Sequence, residues 1–380
     1  MSTSLDTGRA RAWAWVAHLR AGGTTPWAAW ETTDPAEESR FLPGAQQLEL
    51  LRRLNAAGRP SATLVERVLT ASAPGRGRPD LELVGVDEER RFGPPPVDPA
   101  TLPDEELLRV ATGLLAEDVL AADAPAAEPR PPRRLRVRYQ LAGDPWLAAA
   151  HTRALTADGR PPGGQGRAVH VLGCDVATML AHTWGAGAFG PAAPSWPDFL
   201  ARVRARRRLP ERLDLPGAVA RFEARPHTGR VGVVLDPAAL PRLVGVRRLA
   251  PAPEVAVHAT ELARQVGTAL SLHVVPAEQA RLLTERLLPR LAREEGPRPV
   301  VPPEHRDWVE DAGFALRQRL LRARYPVVGD ADAVLAQWSG YPGTRVSPRG
   351  WAVATPQRRE ERPNTSVLDL AIDLLLEEDR

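Results

Sequence analysis

Between residues 8 and 121 the apolar positions recur at helical spacing. Trp13, Val16 and Leu19, with Ala12 and Trp15 beside them, share one face until Gly22-Gly23 stops the run. After Pro43-Gly44 a second helix carries Leu48, Leu51 and Leu54 and ends at Gly58. Pro60 and Ser61 open a third, with Leu64, Val68 and Leu69 facing inward. Prolines and glycines break residues 73–101, where Leu81–Val84 reads as a short strand. Asp104 and Glu105 then start a helix through Leu107, Val110, Leu114 and Leu115, their charges suiting its positive end.

The period changes after residues 121–134, a Pro/Ala-rich stretch that can bury little apolar surface and reads as a linker. Leu135–Leu141 alternates apolar and polar positions, as a strand with one face on a core does. Asp144-Pro145 opens a helix through Leu155. Ala168–Leu172 is a buried strand, and Asp175 caps a helix reaching Trp184. Helices over residues 195–206 and 216–225 precede a third strand, Val231–Leu235. Its near-continuous apolar character suits a parallel sheet. Three long helical stretches fill 258–324, Tyr325–Val328 is a fourth short strand, and 336–363 is loose. Asn364/Thr365 cap a final amphipathic helix carrying Val367, Leu370, Leu374 and Leu375. The expected organisation is a helical region over 1–121, a linker over 122–134, an α/β domain over 135–335 and a C-terminal helix over 364–380.

Composition alters this picture chiefly by what it removes. All fifty Lys+Arg positions are arginine, so no lysine is present to grip a phosphate, form a Schiff base or act as an amine nucleophile. The net charge is +3 with the signs interleaved, which does not predict nucleic-acid binding. Cys174, the sole cysteine, permits no internal disulfide and suits a reducing compartment. Asp6, Arg9, Arg11 and His18 interrupt any apolar signal region, and no run is long enough to span a membrane. The expectation is a soluble cytoplasmic protein.

Two glycine motifs stand out and lack their chemical context. Gly185-Ala186-Gly187-Ala188-Phe189-Gly190 has the dinucleotide-binding spacing but follows a helix, where the binding loop must follow a strand, and so reads as a flexible loop. Gly22-Gly23-Thr24-Thr25 also follows a helix and reads as a turn in which Thr24 or Thr25 caps a short helix from Pro26. Ligands of open α/β sheets sit beyond the carboxyl ends of the strands. That rule places Gly143, Asp144, Gly173, Cys174, Asp175 and Asp236, with Asp330, along one rim. His182 lies two helical turns after Asp175, and His151 two turns after Asp144. His182, His151 and Asp175 are the candidate catalytic groups, and hydrogen-bonded histidines with an ordinary cap are the alternative. Arg167 and the run Arg202, Arg206, Arg207 and Arg208 are the anion-binding candidates, although arginines in a last helical turn also satisfy its carbonyls. No local zinc spacing or H-E-x-x-H motif occurs, so no metal is expected.

Residues 169–184 (V-H-V-L-G-C-D-V-A-T-M-L-A-H-T-W), 195–203 (S-W-P-D-F-L-A-R-V), 215–223 (L-P-G-A-V-A-R-F-E) and 230–236 (R-V-G-V-V-L-D) resemble the middle of sulfotransferase-like P-loop proteins of GC-rich bacteria. Residues 308–320 and 325–335 resemble the end of that pattern. The resemblance covers about a quarter of the chain and implies a three-layer, parallel-sheet α/β domain. It also implies a strand followed by a lysine-bearing loop for a phosphosulfate donor. Here the corresponding strand leads to Ala142-Gly143-Asp144-Pro145-Trp146, with an acid at the phosphate position. The next strand ends Gly173-Cys174-Asp175 where the family has arginine, and Ala181 or His182 stands where it has serine.

The first reading is therefore a non-catalytic binding or scaffold protein on a degenerate sulfotransferase-like fold, with no cofactor. The alternative is an active group-transfer enzyme with an atypical anion site, which would need an adenosine phosphosulfate-type donor. A third is an assembly subunit docking a protein partner through its ten tryptophans and terminal helix.

Overall fold

The computed structural model describes residues 2–33, 41–71, 80–86, 94–122, 130–131, 137–336, 338 and 366–379. Most of the expected linker and loose segment, the Asn364/Thr365 cap and residues 135 and 136 of the first expected strand lie outside them. The chain forms two compact units. One combines residues 1–123, 261–287 and 362–380, and the other combines 124–260 and 288–361. Residues 261–287, which chain order sets inside 135–335, thus belong with the N-terminal helices.

In the first unit α1 (Ser2–Arg20), α2 (Ala45–Ala57), α3 (Ala62–Thr70) and α4 (Asp104–Ala121) follow the helical spacing. Ser61 caps α3 by accepting from the Leu64 amide, and Gly58 ends α2. The final helix, Val367–Glu378, is capped by Ser366 in a reciprocal box with Asp369. It packs on α4 and α2, burying Leu368, Leu370, Ile372, Leu374 and Leu375. Two local expectations change. Leu81–Val84 is no strand but a single bridge from Leu83 to Val97. The turn after Gly22-Gly23 leads to a 3-10 helix, Trp27–Ala29, whose cap position falls on Pro26, which has no side-chain acceptor; the Thr25 hydroxyl pairs with His18 at 3.1 Å instead.

The second unit is built on a parallel sheet in the order β1 (Tyr139–Gly143), β2 (Arg167–Leu172), β3 (Thr228–Val234) and β4 (Val327–Val328). The apolar run of β2 is buried from Val169 to Leu172, as a strand covered on both faces requires. Between β1 and β2 lies α5 (Pro145–Ala157), and between β2 and β3 lie α6 (Val176–Ala188), α7 (Trp196–Ala205) and α8 (Leu215–Glu223). The glycine motif at 185–190 is not a loop: Gly185 and Gly187 extend α6, and only Phe189-Gly190 turns the chain. A Cβ at Gly185 would meet the Trp146 ring at 3.8 Å, an ordinary packing distance, so the helix there does not depend on glycine. Trp184 packs at 5.4 Å on Trp196 and donates its indole N–H to the Pro194 carbonyl, anchoring α6 to α7.

The strands follow one another in chain order, so among the described strands their order never reverses. Doubly wound sheets open their ligand crevice at such a reversal. This sheet offers a row of strand ends instead.

Candidate functional site

Each strand of the sheet delivers an aspartate to its carboxyl edge. Asp144 follows β1 and accepts the Trp146 and Leu147 amides on Oδ1, both at 3.0 Å. Asp175 follows β2 and accepts the Thr178 amide at 3.0 Å. Asp236 and Asp330 close the turns after β3 and β4, accepting the Ala238 and Asp332 amides. Helix N-termini are natural anion sites because their first amides lack partners. Here those amides already face carboxylates of the chain itself, so the row is acidic and pre-satisfied.

One glycine lets the ends of β1 and β2 close up, and a second makes room for a side chain of α8. Gly143 has φ +87° and lies against the Leu172 carbonyl, and Gly173 lies against Leu215. With β1 and β2 drawn together, three side chains meet. Asp144 Oδ2 accepts from His182 Nδ1 at 2.7 Å, and Cys174 Sγ lies 3.8 Å from the same oxygen. Asp144 is wholly buried, while 23% of the His182 side chain remains exposed. Burial alone would depress the His182 pKa, but the adjoining Asp144 carboxylate outweighs it and raises the value. The Arg298 guanidinium, paired with Glu254, opposes the rise. Burial, then Asp144 and Asp175, push the Cys174 thiol well up, so it stays protonated. Burial also raises Asp175, against the hydrogen bonds from Thr178 that lower it.

The structure thus assembles Asp144 and Cys174, which the sequence had set along one rim, with His182, which it had offered as a catalytic candidate beside Asp175. Asp175 caps α6, and Asp236 caps its own turn. His151, on α5, is buried. Burial lowers its pKa, with Asp144 partly offsetting this. Arg167 begins β2 at the opposite edge of the sheet and donates to Gln140 Oε1 at 2.7 Å. It helps line a shallow hollow of about 390 Å³ with Gln140, Leu141, Thr152, Pro162 and Gly163, which contains no histidine. Arg202, Arg206, Arg207 and Arg208 are exposed on the last turn of α7 and beyond it. Sequence reasoning missed the Asp144–His182 bond. Its only sequence trace is an aspartate ending one strand and a histidine on the helix after the next. Nothing in the sequence marks Arg298.

Nine of the tryptophans are described. Trp13, Trp15, Trp27, Trp146, Trp184 and Trp196 are buried, and Trp30, Trp308 and Trp338 half-buried, so none offers an exposed aromatic anchor. No described helix is long and apolar enough to cross a membrane.

Two further histidines set a pH response. Burial lowers the pKa of His170 and of His258, with the Leu243 carbonyl partly holding His170 up. Above the unfolded value of 6.5 neither state binds the proton and nothing is lost. Below it the unfolded chain takes up protons that the native state excludes. Stability therefore falls with acidification until the lowered native values are passed, by up to about 1.4 kcal/mol per pH unit for each histidine. The raised His182 works the other way, so the test is the difference: between pH 7.5 and 5.5 the urea midpoint should fall less, or rise more, in His170→Gln than in wild type. An equal slope in both proteins would exclude His170 as a source.

Comparison with protein-family models, curated proteins and solved structures yields no match for this chain.

Proposed function

We propose that the α/β unit works by binding, on a three-layer, sulfotransferase-like scaffold that has lost its phosphosulfate-donor site. One observation carries this reading. At the β1–α5 turn, where such a fold would cradle phosphate, the Asp144 carboxylate takes up the Trp146 and Leu147 amides. An incoming phosphate would meet a buried carboxylate instead of free N–H groups, with no lysine to offset it. The acidic caps along the rim point the same way. The ligands that suit such a rim are cationic or neutral. A single buried thiol fits a cytoplasmic setting.

Calorimetric titration with adenosine 3′-phosphate 5′-phosphosulfate tests the proposal. No saturable heat is expected for a Kd below about 1 mM. Tight binding, or sulfate transfer to a phenolic acceptor, would overturn it. A second reading, group transfer with His182 as general base, draws on the 2.7 Å Asp144–His182 bond, which fixes the ring as catalytic dyads do. It requires turnover that His182→Ala abolishes while the fold persists.

A further inference from the structure

We infer that Asp144, Cys174 and His182 form a binding site for a divalent transition metal of the zinc class. The inference rests on the reading that the rim holds no phosphosulfate donor, and it names the kind of ligand the rim takes instead.

Asp144 Oδ2, Cys174 Sγ and His182 Nδ1 lie within 4.8 Å of one another. Bonds of about 2.0–2.3 Å to a tetrahedral zinc place its ligand atoms roughly 3.3–3.8 Å apart. The sulfur–oxygen separation, 3.8 Å, already meets that requirement. The oxygen–nitrogen pair, at 2.7 Å, needs only a sub-ångström opening to admit the ion. The three groups come from three elements, the end of β1, the end of β2 and the interior of α6, so the paired strands fix their spacing.

Support for the ligands is also present. Asp144 spends Oδ1 on two backbone amides, which clamps the carboxylate and leaves Oδ2 as the donor. Metal-bound carboxylates are commonly held by such outer contacts. Thiolate, imidazole and carboxylate together favour zinc or cobalt over magnesium or calcium, which prefer oxygen throughout. Three protein ligands leave a fourth position for water or a small ligand, and only the His182 side of the cluster reaches solvent.

Charge balance favours occupancy. In the metal-free cluster, the Cys174 S–H and the His182 Nδ1–H both point to one carboxylate oxygen. On binding, the thiol proton and the proton on His182 Nδ1 are displaced to solvent, and His182 ligates as a neutral imidazole with its remaining proton on Nε2. Thiolate and carboxylate then carry two negative charges against the dication, and a buried site ends neutral.

The experiment uses the full chain, stripped with a chelator and titrated with Co²⁺. One equivalent is expected to bind, with a thiolate-to-cobalt charge-transfer band in the near ultraviolet and visible d–d bands of four-coordinate intensity. Zn²⁺ should bleach both. Cys174→Ser should remove the charge-transfer band, and His182→Gln should weaken binding at least about tenfold. Circular dichroism checks that each variant is folded. Failure of stoichiometric uptake by the wild-type chain, or a charge-transfer band that persists in Cys174→Ser, would sink the inference. The phosphosulfate titration is read separately. No cobalt uptake without nucleotide binding ends the metal site and spares the binding reading, whereas nucleotide binding ends the reading on which the site rests.

Discussion

Asp144→Ala is expected to cost the α/β unit about 3–5 kcal/mol, the range for breaking a buried, hydrogen-bonded ionic contact. The side chain is wholly buried and serves two structures at once. Without it the Trp146 and Leu147 amides at the start of α5 lose their acceptor in an interior that water does not reach. An orphaned buried donor costs about 1–3 kcal/mol, and the capping loss at this position overlaps with that figure. The His182 ring loses the bond at 2.7 Å that holds it. Asp144→Asn keeps a carbonyl oxygen for the amides and disturbs only the contacts of Oδ2 with His182 and Cys174, so it should cost about 1–2 kcal/mol. Urea unfolding in the presence of a chelator measures both variants free of any metal contribution, with hydrogen exchange at the α5 amides assigning the transition. If alanine and asparagine cost the same, the carboxylate is not the cap that the geometry describes.

Which parts of this arrangement were legible in the sequence depends on how far each signal reaches along the chain. Caps and stops act within a turn. Asp144, Asp175, Ser61 and Gly58 therefore mark their helix ends correctly from composition alone. The apolar runs of β2 and β3 were equally plain, because a strand covered on both faces has no polar side to show. The Asp144–His182 contact spans 38 residues and belongs to no local period. Helical spacing instead suggests Asp175 with His182 and Asp144 with His151, pairs two turns apart on one helix. The actual partners meet because Gly143 lies opposite Leu172 in the parallel register, which brings the end of β1 beside the start of α6. Periodicity likewise shows which face of the helix at 367–378 is apolar, but not that α4 and α2 cover it. The glycine motif at 185–190 misled in the opposite sense, since glycine is a permissive signal. Gly185 and Gly187 remain helical because the surrounding residues hold the helix there.

Gly143→Ala should be at least as damaging as Asp144→Ala, with an expected loss above about 4 kcal/mol and little soluble protein. Two penalties coincide. At φ +87° an L-residue pays about 1–2 kcal/mol for the left-handed backbone alone. The added methyl would also sit 2.2 Å from the Leu172 carbonyl oxygen and 2.8 Å from its amide nitrogen, both backbone atoms of the neighbouring strand. Neither can swing aside as a side-chain tip would, so relief requires β1 and β2 to part at their last register pair. That movement breaks the bond from the Asp144 amide to the Leu172 carbonyl and carries Asp144 away from His182. Gly22→Ala separates the two penalties. Its φ is +88°, yet nothing lies within 4 Å of the place its new methyl would take, so only the same backbone cost of about 1–2 kcal/mol applies. Urea midpoints for the two variants, compared with wild type, should differ several-fold in their displacement. Equal and small shifts would mean that the strand ends are not packed as tightly as this geometry requires, and the close meeting of Asp144, Cys174 and His182 would lose its structural basis.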